Sequence, residues 1–281
     1  MIDAPLLDGI AAIALEAGAA ILAIRHGTFA VTTKADGTPV TQADLAANDI
    51  ILMRLSERFA HIPIVSEETP QSKEISDARY NFIVDPLDGT HDFLNGAAEF
   101  TVNIALLERA APVAGVIYAP SLGLIYVGAA GLGARRATVH NGALAAWSAI
   151  SAIAPSGELR AVTSRSHQTS ETRDFLDNRR IGNVVSVSSS LKFCIIAAGE
   201  ADIYPRLGRT MEWDTAAGDA ILRAAGGSVL SLDRKPLTYN KRDAAGGPMR
   251  ANPWFVAAGS FNPFEPRWQR ETPSAETGLK S

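Results

Sequence analysis

A single cysteine, Cys194, in 281 residues leaves no partner for an internal disulfide, so the chain is no disulfide-stapled scaffold and fits a reducing compartment. Basic residues are outnumbered, with 26 Lys and Arg against 30 Asp and Glu and a net charge of −4. That balance argues against a binder of nucleic-acid polymers. It leaves small anionic substrates open, because bound metal ions can invert the charge of a local site. His26, His61, His91, His140 and His167 are too scattered for zinc-ligand spacing. Gly131-Leu132-Gly133 has Arg136 where a dinucleotide fingerprint needs its third glycine, and no glycine-rich loop runs into Lys-Ser or Lys-Thr. Ser188-Ser189-Ser190 forms no nucleophile elbow. Cys194 lies among apolar residues, the setting of a structural thiol rather than a nucleophile.

Long apolar runs are lacking too. The most apolar N-terminal stretch, Ile10–Ile24, is interrupted by Glu16 and follows Asp3 and Asp8 rather than Lys or Arg. At that length it is too short to span a bilayer and carries no export signal. Leu6, Ile10, Ile13, Ala17, Ile21 and Ile24 recur at helical spacing, which predicts a buried amphipathic helix.

What is present describes an ordinary globular chain, 47% hydrophobic and 20% charged. After a turn-rich stretch to Pro39, Thr41 is a predicted N-cap with Asp44 three residues on, and Leu45, Leu52, Leu55 and Phe59 form the predicted inner stripe. Short strands are expected at Ile62–Val65, Phe82–Val84, Thr101–Leu107, Val113–Tyr118 and Leu124–Val127, the later ones as an antiparallel meander. Beyond Gly157, strands at Ala161–Thr163, Val184–Val187 and Val229–Ser231 alternate with helices at Ser170–Asn178, Ser190–Gly199 and Thr215–Ala225. A boundary near residue 155 divides the chain into domains 1–155 and 156–261, with 262–281 as a flexible tail.

Carboxylates mark the strand ends. In Phe82-Ile83-Val84-Asp85-Pro86-Leu87-Asp88-Gly89-Thr90 an apolar strand ends in Asp85, Pro86 stops the ladder, and Asp88 follows. Two such carboxylates and the Leu87 carbonyl offer hard oxygens suited to magnesium. The same residues alone also suit an Asx turn. Ser66-Glu67-Glu68 stands just after a strand, where a solvated loop is the plainer reading. Asp44 and Asp214 each fit a helix cap. No one of these acids decides the matter.

Together the segments resemble the inositol monophosphatase superfamily: Asp36–Asp44, Ser66-Glu67-Glu68, Asp85–Thr90 and Trp213–Gly218 stand in its order, within a similarity running from Leu6 to Gly259. The resemblance implies an α/β (α+β) fold, a layered α-β-α-β-α sandwich with metals at the seam. Within the superfamily the chain resembles the CysQ-type 3′(2′),5′-bisphosphate nucleotidases through Glu99–Leu106, Ser164–His167, Ser189–Cys194 and Tyr204-Pro205-Arg206. Arg206 stands where inositol-monophosphate enzymes carry an acid, and a guanidinium suits a second phosphate. His91-Asp92 departs from the Lys-Glu common in that group, which bears on substrate contacts rather than on the chemistry.

The resemblance implies a phosphoric monoester hydrolase acting on 3′-phosphoadenosine 5′-phosphate, a by-product of sulfate assimilation, with lithium sensitivity and a cytoplasmic setting. It implies two or three Mg²⁺ ions held by Glu67, Asp85, the Leu87 carbonyl, Asp88 and Asp214. Catalysis falls to Glu67, Thr90 and Asp44. Leu87, Asp88, Gly89, Thr90, His167, Ser189, Lys192, Arg206 and Asp214 would bind substrate, and Lys34 either adds charge from its loop or is an ordinary solvated lysine. The expected partner is a small bisphosphate nucleotide, and a homodimer stays open. An inositol-phosphate or sugar-phosphate phosphatase is the rival reading, and a catalytically silent metal-binding protein on the same fold is a further one.

Overall fold

The structure, a computed structural model, describes residues 2–25, 27, 31–33, 39–69 and 78–268. Lys34 and the Asp36–Thr38 part of the first motif lie outside them.

Helical spacing of apolar residues shapes the first layer. Helix α1 (Ala4–Arg25) turns Leu7, Ile10, Ala14, Ala17 and Ile21 inward, with Leu6 and Ile24 partly buried. At 22 residues it is long and apolar enough to cross a membrane by length and composition, which corrects the shorter span read from the sequence. Its apolar face instead packs inside the protein. A two-stranded ribbon, β1 (Val31–Thr33) and β2 (Pro39–Thr41), leads into α2 (Gln42–Arg58). The predicted capping box is present, since Thr41 Oγ1 accepts from Ala43 N and Asp44 Oδ2 accepts from Thr41 N at 2.7 Å. The inner stripe differs from expectation: Ala43, Ala47, Ile51 and Leu55 face inward, and Leu45 is 46% exposed. Small side chains let α2 lie close to its neighbours, so a stripe drawn through the largest residues puts the helix in the wrong rotation.

The first sheet contains β3 (Ile64–Ser66), β4 (Tyr80–Asp88), β5 (Thr101–Glu108), β6 (Ala111–Ala119), β7 (Leu124–Ala129), β8 (Gly133–His140), β9 (Ala143–Leu144) and β10 (Ser148–Ile150). Its order is β10-β8-β7-β6-β5-β4-β3, with β9 paired to β8. From β4 onward neighbours are antiparallel, as the meander reading expects, while β3 runs parallel to β4. Pro86 does not end β4: the strand continues to Asp88 across a register shift between Asp85 and Asp88. Proline lacks an N–H, and the irregularity absorbs that loss, with Leu87 N donating to Asp85 Oδ1 at 3.0 Å. Helix α3 (Thr90–Leu94) follows at once.

The second sheet holds β11 (Arg160–Ser164), β12 (Asn183–Val187), β13 (Ile203–Arg206), β14 (Ser228–Ser231) and β15 (Phe255–Ala258), in the order β12-β11-β13-β15-β14. Three helices accompany it: α4 (Ser170–Asn178), α5 (Leu191–Ala197) and α6 (Glu212–Ala224).

Alternation along the strands separates three cores. Phe82 and Val84 of β4 join α1 and α2, whereas Ile83 joins Phe193 of α5, Ile221 of α6, and Tyr204 and Phe255 of the second sheet. On that sheet's far side, Ile203 and Val256 pack with Phe175 and Leu176 of α4. The layers therefore run α-β-α-β-α. Close packing of α6 on the first sheet needs glycine: a Cβ on Gly115 would meet Ala217 O at 2.4 Å, and one on Gly128 would meet Ile221 Cα at 2.8 Å. Residues 262–268, expected to begin a flexible tail, fold back instead: Phe264 is buried in the third core, and Trp268 packs edge-on against Phe261 at 5.5 Å.

Candidate active site

One cleft opens between the two sheets, and its lining includes Glu67, Asp85, Leu87, Asp88, Gly89, Thr90, His167, Ser189, Lys192, Arg206 and Asp214. Of the expected site residues with described positions, only Asp44 stands behind the lining, reaching the site through Thr90.

Three elements converge on the acid wall. Glu67 follows β3, its N–H donating to Val84 O at 3.1 Å, so the parallel pairing of β3 with β4 sets it beside Asp85. Asp214 comes from the first turn of α6. That helix begins at Glu212 with Met211 as its cap, so Asp214 stands three residues inside rather than at the cap the sequence suggests. Its Oδ2 accepts from Met211 N at 2.8 Å. Ligand atoms of Glu67, Asp85 and Asp214 all lie within 4.8 Å of one another.

Gathering acids in a half-closed site has a clear electrostatic consequence. Burial, followed by the charges of Glu67, Asp88 and Asp214, pushes the Asp85 carboxyl well above the ordinary carboxylate range. Burial and then Asp88 and Glu67 push Asp214 up to about 8. Asp88 is also raised by burial, against the opposing pull of Lys192 and a hydrogen bond from Asn103. Carboxylates this close cannot all ionise without a counter-charge, and an array of hard oxygens with raised proton affinity fits a divalent cation.

The turn after β4 arranges the remaining groups. Gly89 adopts φ 91°, a left-handed conformation that favours glycine, and starts α3. Thr90 Oγ1 stands 3.0 Å from Asp44 Oδ1 and 3.1 Å from the Leu87 carbonyl. Asp44 is itself fixed by Thr41 N at 2.7 Å and Thr41 Oγ1 at 2.6 Å. It is thus a helix cap and the anchor of the Thr90 hydroxyl at once.

The facing wall is basic. Lys192 on α5 is buried, which pulls its ammonium down to about 8. It donates to Val187 O at 3.1 Å and to Ser189 O, leaving one N–H of its three. Ser189 itself sits at φ 55°, an uncommon conformation for a residue other than glycine, in the turn that feeds α5. Arg206 on β13 donates Nη1 to His167 O at 3.0 Å and Nη2 to Arg209 O at 2.8 Å, while its buried Nε has no protein partner. His167 is held below its ordinary pKa by burial and then by Arg206 and Lys192, which keeps its ring neutral near pH 7.

Several members were not anticipated. Glu99 bridges the walls, accepting from Arg165 Nη2 at 2.9 Å and from Ser188 N at 2.8 Å. Asn103 Oδ1 accepts from Ser190 Oγ at 2.7 Å while its Nδ2 faces Asp88 Oδ2 at 3.4 Å. Tyr204 lines the cleft with the Lys192 ammonium 5.3 Å from its ring centre. Glu99, Asn103, Ser190 and Tyr204 lay inside recognisable segments, but only the folded chain shows what they touch. His91 and Asp92 also line the cleft.

The inositol monophosphatase family model matches residues 4–261. The chain belongs to that family. This family member is 39% identical over 249 residues to the 3′(2′),5′-bisphosphate nucleotidase CysQ of Escherichia coli strain K12, covering 85% of this chain and 96% of the relative. It is 41% identical over 239 residues to the protein of the same name from Buchnera aphidicola, covering 84% and 88% respectively. Among solved structures, CysQ from Bacteroides thetaiotaomicron superposes with a TM-score of 0.77 at 36% identity, covering 92% of this chain and 98% of that one.

Proposed function

We propose that this protein is a magnesium-dependent 3′(2′),5′-bisphosphate nucleotidase that hydrolyses 3′-phosphoadenosine 5′-phosphate to adenosine 5′-phosphate and inorganic phosphate. One observation carries the reading: an acid wall and a wall bearing Lys192 and Arg206 face each other across one cleft. A monophosphatase of a neutral polyol has no use for the second cationic cluster. A substrate with two phosphates uses both walls, one for the phosphate that leaves and one for the phosphate that stays.

Glu67, Asp85, Asp88, Asp214 and the Leu87 carbonyl hold the ions in this scheme. Two or three magnesium ions supply Lewis-acid activation of the phosphoryl group and of a water. Thr90 Oγ1, oriented by Asp44 at 3.0 Å, and Glu67 position the attacking water. Backbone N–H groups at Gly89 and Thr90 cradle the departing phosphate. Across the cleft the free N–H of Lys192, the Arg206 guanidinium and the Ser189 hydroxyl grip the retained phosphate. The neutral His167 ring offers a face to the base. Residues 1–155 thus supply most of the acids and residues 156–261 supply Asp214 with the specificity groups, and the cytoplasm is the setting this activity implies.

The test is phosphate release from 3′-phosphoadenosine 5′-phosphate, its sulfated relative, inositol 1-phosphate and fructose 1,6-bisphosphate, each with magnesium and with a chelator. Strong preference for the adenosine bisphosphates, abolished by the chelator, is the expected result. Preference for inositol 1-phosphate would overturn the substrate reading, and magnesium-independent turnover would overturn the mechanism.

A further inference from the structure

The first turn of α6 is tied down by a segment far along the chain. Glu212 is fully buried, two residues before Asp214. Its Oε1 accepts from Lys241 Nζ at 2.6 Å and from Lys241 N at 3.2 Å, and its Oε2 accepts from Arg250 Nη1 at 3.0 Å. Asn252 completes the contact: its Nδ2 lies 2.7 Å from Met211 O, 3.0 Å from Thr215 Oγ1 and 3.2 Å from Thr210 Oγ1. Lys241 Nζ also reaches Asn252 Oδ1 at 3.4 Å, so the ionic clasp orients the amide. Backbone bonds from Glu212 N to Arg250 O at 2.9 Å and from Asn252 N to Thr210 O at 2.8 Å lock the same register.

Burying a carboxylate between two cations is rarely the cheapest way to stabilise a helix, since well-packed apolar residues often do as well. What the arrangement fixes is direction. Thr210 and Thr215, both touched by Asn252, line the cleft on either side of Asp214. Met211 is held through its carbonyl by Asn252 and gives its N–H to Asp214 Oδ2 at 2.8 Å, which fixes the carboxylate where one of its oxygens lies within 4.8 Å of those of Glu67 and Asp85.

We propose that Asn252, oriented by the Glu212–Lys241–Arg250 clasp, is a positioning residue that presents the Asp214 carboxylate to the cation. This inference rests on the reading of Glu67, Asp85, Asp88 and Asp214 as metal ligands. Groups that orient ligands typically change metal affinity about 10- to 100-fold when removed.

The test is calorimetric titration of the full-length, metal-free protein with magnesium and with manganese, alongside its metal-free thermal unfolding. Asn252→Ala is the variant, and Arg223→Met is the control. Arg223 donates to Asp219 Oδ1 at 2.6 Å and to Leu237 O at 3.1 Å, and so braces the same helix through residues that Asn252 does not touch. Asn252→Ala is expected to weaken ion binding about tenfold or more, whereas Arg223→Met lowers the unfolding temperature and leaves ion affinity unchanged. Glu212→Gln, which keeps the side chain's shape, is expected to weaken binding in the same direction. Unchanged ion affinity in Asn252→Ala overturns the inference, as does an equal loss in Asn252→Ala and Arg223→Met. If the wild type binds neither ion, the metal-site reading itself falls and this inference with it. An Asn252→Ala protein that does not fold passes the decision to Glu212→Gln, where unchanged affinity is again the overturning result.

Discussion

The two walls of the cleft are built differently. On the acid wall, Asp85 and Asp88 lie on one strand and its bulge, and Glu67 is set beside them by the neighbouring parallel strand. On the basic wall, Lys192 comes from a helix, Arg206 from a strand and His167 from a loop. The acid wall is mostly one stretch of chain, residues 67–88, to which α6 adds Asp214 alone. The basic wall is an assembly, and each of its cations is spent partly on holding backbone carbonyls in place. The comparison teaches that chemistry shared by a family can reside in a compact motif, while selectivity resides in positions that the fold alone gathers.

The harshest way to probe the difference is Asp88→Asn, which keeps size and removes one charge from the acid wall. Losing a ligand costs several kcal/mol of transition-state stabilisation, so turnover should fall at least about a hundredfold on every substrate. Near-normal turnover at saturating magnesium would remove Asp88 from the ligand set.

Arg206→Ala should act more narrowly. A charge-assisted hydrogen bond is worth about 1.5–3 kcal/mol, so kcat/KM for 3′-phosphoadenosine 5′-phosphate should drop roughly ten- to a hundredfold. Hydrolysis of inositol 1-phosphate should stay as poor as before. An equal loss on both substrates would make Arg206 a structural residue. Arg206→Lys, which keeps the charge and loses the fork, should fall between the two.

A gentler probe uses pH on the metal-free protein. Asp214 titrates near 8 when folded against an ordinary 3.8, so the folded state holds a proton that the unfolded chain releases. Its contribution to stability is present below about pH 4 and is lost as pH rises through 8. Lys192 works the other way, titrating near 8 when folded against 10.5, so stability is present above 10.5 and is lost as pH falls through 8. Urea midpoints in the presence of a chelator should therefore decline between about pH 5 and 8. Magnesium should flatten that decline, and Lys192→Met should leave it intact. A decline that magnesium does not touch would mean that the acids are not its source.

Much of this architecture was legible, and the failures are as local as the successes. The Thr41–Asp44 box was readable because a cap forms between residues three apart. The acids of β4 were readable because a strand ending in carboxylates is unusual by itself. Leu45 was assigned inward because size suggests burial, whereas α2 packs through Ala43 and Ala47. Strand β13 was not among the expected strands; its Pro205 is tolerated because β11 pairs with β13 only at Ile203, and the ladder to β15 alone runs through the proline. Asp214 looked like a helix cap, because its approach to Glu67 and Asp85 is made only in the folded chain. The meaning of Arg206 came from family likeness and from no local pattern.

By itself, then, the sequence determined the core's periodicities, the capped start of α2, the strand-end carboxylates and, through motif order, the family. These are settled by contacts a few residues apart, where backbone geometry leaves few options. Only the tertiary structure decided which acids come within 4.8 Å of one another, that Asp44 anchors Thr90, that Glu99 ties Arg165 to Ser188, and that Lys241, Arg250 and Asn252 brace the helix of Asp214. Those contacts join residues that the chain keeps far apart, and the packing of two sheets around α5 and α6 fixes their distances.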